Sequence, residues 1–420
     1  VVRERANCHA DRPAATQDAA GQTCPGRPMP TPEALEPLVP AMTAWRRDLH
    51  AHPELGFEEN RTAALVAAEL REAGIEVAEG LAGTGVVGTL RGAPGNRAVA
   101  LRADMDALAM QEKTGVPYAS TVPGRMHACG HDGHTAMLLG AAKWLAARRG
   151  IFSGTAHFVF QPAEESRGGG QRMVAEGLFQ RFPADAVYAL HNLPGLPLGT
   201  IAVPKGPVLA SSDTWQVIFR GRGTHGAKPH LGTDAMLAAA QFVAALQAIV
   251  ARELDPMGVG VVSVGHIAAG DPDAPNVIPA EVLLRGTARA LTADTRDLLE
   301  ARIGGIAAGM ASTHSVAADY RYTRRLSPTV NHAAQAAIMH RAACATVGAA
   351  GARDDFPAIT AGEDFSAMLE ARPGAYAWLG TGEPAHPEGF HHNPHFDFND
   401  AALAAGAAFL ASIVEAELAA

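Results

Sequence analysis

From Glu33 onward the apolar positions fall into two alternating patterns, one at helical spacing and one of short continuous runs. Residues 61–73 (RTAALVAAELREA) place their apolar side chains three and four apart and are closed by Gly74, a residue that accepts the left-handed turn ending a helix. Residues 75–78 then read as a strand. Residues 86–90 and 98–101 are short apolar runs bounded by Gly and Pro, the pattern of strands buried on both faces. Residues 135–148 predict a helix, and residues 155–160 and 186–190 two more strands. Polar residues recur where apolar runs stop: Arg102-Ala-Asp104-Met-Asp106, Gln161-Pro-Ala-Glu164-Glu165, and His191 directly after residues 186–190. In an open α/β sheet the crevice beyond the strand ends is where ligands bind.

The rhythm changes in the middle of the chain. Strands are predicted at 214–220, 259–267, 282–290 and 316–322, with helices at 234–252 and 295–310. This β-α-β-β-α-β order is that of the ferredoxin-like split βαβ unit. Residues 211–325 are therefore expected to form an inserted second domain between two parts of an α/β domain, 33–210 and 326–420. The second part opens with a helix at 332–347, continues with a strand at 375–379 and closes on a helix at 399–418. Residues 1–32 mix charges, prolines and small polar residues and are expected to be a disordered tail, Cys8 and Cys24 being unpaired thiols within it.

Composition narrows the functional classes. With 420 residues, 48% apolar and 18% charged, the chain can bury a sizeable core and is not a disordered protein. Its 34 Lys and Arg against 43 Asp and Glu give a net charge of -9, which repels a phosphate backbone, so no nucleic-acid partner is expected. The tail lacks the continuous apolar stretch of a signal peptide or membrane helix, and no membrane association is expected. Four scattered cysteines with no C-x-x-C pair suit a reducing compartment and predict a cytoplasmic protein.

The histidines are clustered. His127, His131 and His134 fall within eight residues, and His386, His391, His392 and His395 within ten. In His127-Ala-Cys129-Gly-His131-Asp132-Gly-His134 a thiolate and an imidazole one glycine apart can turn toward one point, a donor set that zinc, manganese, cobalt or nickel accepts. In Glu164-Glu165, extended backbone would point neighbouring carboxylates in opposite directions, so that one coordinates a metal while the other faces a water. That division suits hydrolysis, because a metal acidifies its water and a nearby Glu can take the proton and pass it to a leaving amine. Cys129, His131, Glu165, His191 and His392 together, each beside a strand end or in a loop, form a pattern that chance explains poorly.

Long motifs then share one order with a known family. Arg46-Arg-Asp-Leu-His50-Ala-His52-Pro-Glu54-Leu-Gly-Phe57-Glu58-Glu, Arg102-Ala-Asp104-Met-Asp106-Ala-Leu, the Cys129 and His131 motif, Gln161-Pro-Ala-Glu164-Glu165 and Gly362-Glu363-Asp364-Phe365 resemble the amidohydrolase branch of the aminoacylase and dimetal-peptidase superfamily. That branch contains hippurate hydrolases and indole-acetyl-amino-acid hydrolases, and the likeness runs from about Leu38 to the C-terminus. It implies a dimetal aminopeptidase-like catalytic domain, a mixed sheet flanked by helices, with an inserted ferredoxin-like lid and dimerisation domain. It implies two divalent ions (Mn2+, Zn2+, Co2+ or Ni2+) on Cys129, His131, Glu165, His191 and His392. Glu164 is implied as general base and acid toward a metal-bridging water, and Asp106 as an orienter behind the site. His225, in Arg222-Gly-Thr224-His225-Gly, is implied to stabilise the tetrahedral oxyanion, in some relatives from the partner subunit. Asn276 and Arg289 are implied to grip the substrate carboxylate, a task an Arg fork suits.

Three positions depart from the family pattern: Ala109 replaces a Pro, Thr224 a Gly before the lid His, and His391 an apolar residue. The last leaves His391 or His392 as the C-terminal ligand; His392 is chosen because Asn393-Pro394 follows it. The implied reaction is hydrolysis of the amide of a small-molecule N-acyl amino acid, hippurate-like, to a carboxylic acid and a free amino acid, by a homodimer or higher homo-oligomer. A dipeptidase of the same superfamily and a non-catalytic metal-dependent binding protein are the alternatives.

Overall fold

The computed structural model describes residues 30–419. Cys8, Cys24 and most of the expected tail lie outside the described residues. Residues 30–32 of that stretch are packed on the fold: Thr31 caps the helix Pro32–Leu35 through its side chain, and the Pro30 carbonyl accepts from Ser412 Oγ.

An eight-stranded mixed sheet organises the larger part. Its strands run in the order Glu76–Leu81, Gly85–Arg91, Ser153–Gln161, Ala93–Asp104, Ala186–Leu193, Gly374–Gly380, Ile201–Ala202 and Ala352–Arg353. The four central ones are mutually parallel, and they are the continuous apolar runs of the sequence, buried on both faces as parallel strands are. One face carries the helices His131–Ala146, Ala333–Gly351 and Leu403–Glu417 around Met137, Trp144, Phe158, Tyr188 and Phe409; the other packs Phe179, Phe365, Met368 and Trp378. The helix Asn60–Glu72 buries Ala63, Val66, Ala67 and Leu70, one stripe at helical spacing. The helix His131–Ala146 is buried on all sides and starts four residues before the expected 135, so His131 is its first residue.

The middle of the chain makes a four-stranded antiparallel sheet, Gly260–Ala269, Glu281–Ala290, Ser212–Arg220 and Ala317–Leu326 in spatial order. Two helices, Ala235–Ala248 and Ala293–His314, cover one face around Trp215, Phe219, Phe242, Leu246, Leu299 and Ile303. The first continues as a π turn to Glu253, and Ala235–Glu253 is long and apolar enough to cross a membrane by length and composition. Only one side of it packs on the sheet, leaving Met236, Leu237 and Val250 exposed. The strand Gly260–Ala269 is an edge, with Ile267 half exposed.

Candidate metal centre

The parallel strands deliver polar residues to one edge of the sheet. Ala93–Asp104 leads to Asp104 and Asp106, Ser153–Gln161 to Glu164 and Glu165, and Ala186–Leu193 carries His191 and Asn192. His191 is inside its strand rather than after it, because pairing with Gly374–Gly380 continues as far as Leu193 opposite Gly380.

Glu164 and Glu165 do not lie on extended backbone. They open a short helix, Glu164–Arg167, after Ala163 at φ 56°, a left-handed conformation that costs a residue with a Cβ. Buried Glu59 supports that turn by accepting from the Ala163 N–H at 2.8 Å, and Thr84 holds Glu59 in place. Their backbone N–H groups donate to the two oxygens of Asp106, at 3.0 and 2.9 Å. The two side chains do not point apart as strand alternation would have them: ligand atoms of Glu164, Glu165 and His131 lie within 4.8 Å of one another.

The five expected ligands converge. Cys129 Sγ is 3.5 Å from His191 Nε2, His392 Nε2 is 3.1 Å from Glu165 Oε1, and His131 Nε2 is 4.0 Å from the same oxygen. Donor atoms of Cys129, Glu165 and His392 lie within 4.8 Å of one another, as do those of Asp104, His131, His134 and His191. Donors bound to one tetrahedral ion sit roughly 3.3–3.8 Å apart, so the spacing fits cation binding. His131 Nε2 is buried with no hydrogen-bond partner, a lone pair that a cation would satisfy. Its Nδ1 faces Asp106 Oδ1 at 3.2 Å, and His191 Nδ1 donates to the Asn192 carbonyl at 2.7 Å, so each ring turns Nε2 into the cluster. Of the two C-terminal candidates, His392 faces Glu165, while His391 turns to Asn192 Nδ2 at 3.0 Å and packs against the His191 ring. His392 sits at φ 60°, a strained position at the site.

Electrostatics divide the two glutamates. Burial, then the neighbouring Glu363 and Glu165 carboxylates, raise the Glu164 pKa well above its ordinary value. For Glu165 burial acts the same way, but hydrogen bonding to His392 and the charge of His131 outweigh it and lower the pKa. Burial pushes the Cys129 thiol up to about 12, with Glu165 adding to the effect, so a cation among these donors is what would keep it a thiolate.

Behind the cluster lies a charge network to which the sequence analysis assigned no role. Buried Arg102 donates to Gln161 (2.9 Å), Asp104 (2.7 Å), Glu363 (2.9 Å) and Asp364 (3.2 Å), and Tyr376 adds a bond to Glu363 at 3.2 Å. His134 bridges Asp104 at 2.6 Å and Asn192 at 2.7 Å. Gly130 permits this closeness, since at φ 96° a Cβ there would lie 2.5 Å from Asn192 Oδ1. These residues stood within or beside the quoted motifs, but a motif does not say which of its members are buried together.

The three residues expected to grip substrate from the middle of the chain separate. Arg289 lines the same cavity of about 500 Å³ as Cys129, Glu164, Glu165, His191 and His392. His225 and Asn276 do not line it. His225 pairs with Val277, and the Asn276 carbonyl accepts from Gly226 at 2.6 Å, in a small ribbon beyond the Glu281 end of the strand Glu281–Ala290. Arg289 is eight residues along that strand, which puts the ribbon roughly 25 Å from it.

Residues 100–416 match the model of peptidase family M20/M25/M40. The chain belongs to this family. It is 39% identical over 368 residues to the hippurate hydrolase of Campylobacter jejuni, covering 88% of this chain and 94% of that protein. It is 37% identical over 385 residues to the N-acetyl-L-cysteine deacetylase of Bacillus subtilis, covering 90% and 88%. Among solved structures, a dinuclear metal-binding peptidase of the M20 family from Bacillus subtilis superposes with a TM-score of 0.80 at 32% identity, covering 91% and 99%. This member of the family is a hydrolase acting on amides, of the amidohydrolase branch, and its α/β fold with a mixed sheet is that of the dinuclear peptidases.

Proposed function

We propose that the protein hydrolyses the amide of N-acyl amino acids, releasing a carboxylic acid and a free amino acid. The observation that carries this reading is buried Glu164, its pKa raised, in one cavity with Arg289 and four of the five expected ligands, Cys129, Glu165, His191 and His392. The names of the relatives, hippurate hydrolase and N-acetyl-L-cysteine deacetylase, support the substrate class. We assign 33–210 and 326–420 to the catalytic unit and 211–325 to a lid, and the cytoplasm as a compartment that keeps Cys129 reduced.

Cys129, His131, Glu165, His191 and His392 would hold two divalent cations, which supply Lewis-acid polarisation of the scissile carbonyl and an acidified attacking water. The Cys129 sulfur favours zinc among them, and the mixed donor set also accepts manganese, cobalt or nickel. Glu164 takes the proton of the water as its oxygen bonds to the carbonyl carbon. The same carboxyl then gives that proton to the amide nitrogen as the C–N bond breaks, a double task for which a raised pKa is suited. Asp106 holds Glu164 and Glu165 by their backbone and His131 by its ring, and Arg289 receives the substrate carboxylate.

His225 and Asn276 are too far along the lid to serve their own cavity, so we assign them to the cavity of a second copy. The lid's exposed edge strand and the exposed side of its apolar helix suit that pairing.

The test is amine release from a panel of N-acyl amino acids by chelator-stripped protein resupplied separately with zinc, manganese, cobalt and nickel. Activity restored by metal and absent from Glu164→Gln is expected. Silence across the panel, with two ions bound per chain, would sink the reaction proposed.

A further inference from the structure

A second cavity of about 500 Å³ adjoins the metal cavity and is basic. It is lined by Arg167, Gln171, Arg172 and Arg325 and shares Ser212 and Leu326 with the metal cavity, so these two residues stand between the two cavities. One wall follows Glu164 and Glu165 in the chain, and the other is made of the two strands by which the lid joins the rest, near the start of Ser212–Arg220 and the end of Ala317–Leu326. Gln171 Nε2 ties the walls together through the Arg325 carbonyl at 3.4 Å.

The charge balance there is positive. Arg167 gives an N–H to a neutral partner, the Gly56 carbonyl, at 3.2 Å. Arg172 is paired with Glu176 at 2.8 Å, and the nearby carboxylate of Asp213 is buried in a two-pronged pair with Arg296. An anion entering the cavity therefore meets guanidinium groups and no unmatched acid among the lining residues.

Strand register connects this cavity to Arg289. Ala288 pairs with Asp213, so Arg289 and Ser212 come next in the same register, and Ser212 pairs in turn with Leu326. Arg289, Ser212 and Leu326 thus lie side by side across three strands, about 5 Å apart at each step. Arg289 is thus two strands from Leu326 on the rim of the basic cavity, close enough for the side chain of an amino acid whose carboxylate Arg289 holds to reach that cavity.

We propose that this cavity is a subsite for a second carboxylate, which makes the preferred substrates N-acyl derivatives of acidic amino acids. The inference rests on the amide-hydrolysis reading above and deepens it. A guanidinium facing a desolvated carboxylate forms a charge-assisted pair that an isosteric amide cannot replace.

The test compares N-benzoyl-glutamate with its neutral isostere N-benzoyl-glutamine on the metal-loaded full chain. A kcat/KM ratio of about tenfold or more in favour of glutamate is expected, the size of one charge-assisted contact. In Arg167→Gln and in the Arg167→Gln, Arg325→Gln double variant the ratio should fall toward one. Because it is taken within each protein, partial loss of folded enzyme cancels. A ratio near one in the unaltered protein, or one that survives in the double variant, overturns the proposal. So does saturable stimulation of N-benzoyl-glycine turnover by free glutarate without a glutamate preference, which would make the cavity an effector site. Calorimetric affinities of the two compounds for metal-loaded Glu164→Gln protein read the same discrimination without turnover. Failure of the subsite and failure of amide hydrolysis are thereby seen separately.

Discussion

Asp106 Oδ1 stands 3.2 Å from His131 Nδ1 while accepting the backbone N–H of Glu164, so one carboxylate orients an expected metal ligand and the expected proton carrier together. Its other oxygen takes the N–H of Glu165, the neighbouring ligand. Asp106→Asn keeps the volume but can offer only one acceptor oxygen, so one of these three bonds must be lost. Metal affinity and kcat/KM are each expected to fall about 10- to 100-fold, as for other partners of metal-bound histidines. Metal titration followed by kinetics checks this, and unchanged affinity would remove Asp106 from its orienting role.

Glu164→Gln preserves shape and removes the proton carrier. Loss of a general acid-base group costs about 10²- to 10⁴-fold in rate, and here the loss should fall on kcat with KM little changed. The metal content should stay at two ions per chain, measured by elemental analysis, because the five expected ligands are untouched. A variant that keeps its kcat would refute the role given to Glu164.

Among the described residues Arg102 is the one arginine or lysine in contact with the buried carboxylates of Asp104, Glu363 and Asp364, of which Asp104 alone also meets histidines, His134 and His131. Burial, and Glu363 beside it, already push Asp364 up to about 8 although Arg102 is present. Arg102→Met removes the partner and leaves the acids, and orphaning buried charge in this way costs about 3–5 kcal/mol. Denaturant unfolding of the apoprotein should show that loss, with partial recovery at acidic pH where the carboxylates are neutral.

How much of this was legible in the sequence depended on whether a feature is local. The parallel strands and the helices around them were readable because apolar runs and helical stripes are local signals, and the ligands stood out because Cys129 and His131 are one residue apart. The turn at Ala163 was not readable. Its left-handed backbone depends on Glu59, more than a hundred residues earlier in the chain, and no nearby residue announces it. Asp104 and Arg102 were visible as motif letters, but the bond of Arg102 to Glu363 joins a strand to a loop some 260 residues further on. The separation of His225 from Arg289 is likewise a property of strand length and register, and a motif match carries no distance.

His50 makes the fold itself sensitive to pH. Burial disfavours its charge, but Asp132 at 2.8 Å and Glu112 at 3.4 Å outweigh burial and raise its pKa from 6.5 to about 9. A pKa raised in the folded state gives stability that is fully present below about 6.5 and is lost as pH rises through about 9. Melting temperature should therefore decline between pH 7 and 9.5, and His50→Gln should flatten that part of the profile while melting lower at pH 6. A profile of unchanged slope in the variant would assign the decline to other groups.

The assignment of His225 to a second copy makes a prediction that no single-chain arrangement shares. His225→Ala and Glu164→Gln each damage a cavity, one through the partner's lid and one through its own base. In a mixed dimer one cavity joins intact Glu164 with intact His225 from the other chain, and the second cavity carries both defects. If subunits exchange at random, half the dimers are mixed and each has one good cavity, so about a quarter of full activity should return on mixing two nearly inactive proteins. Co-purification of the untagged variant with an affinity-tagged copy of the other establishes that mixed dimers form. Should they form without any recovery, His225 does not act across the interface, and its distance from the cavity of its own chain would leave it no part in the reaction.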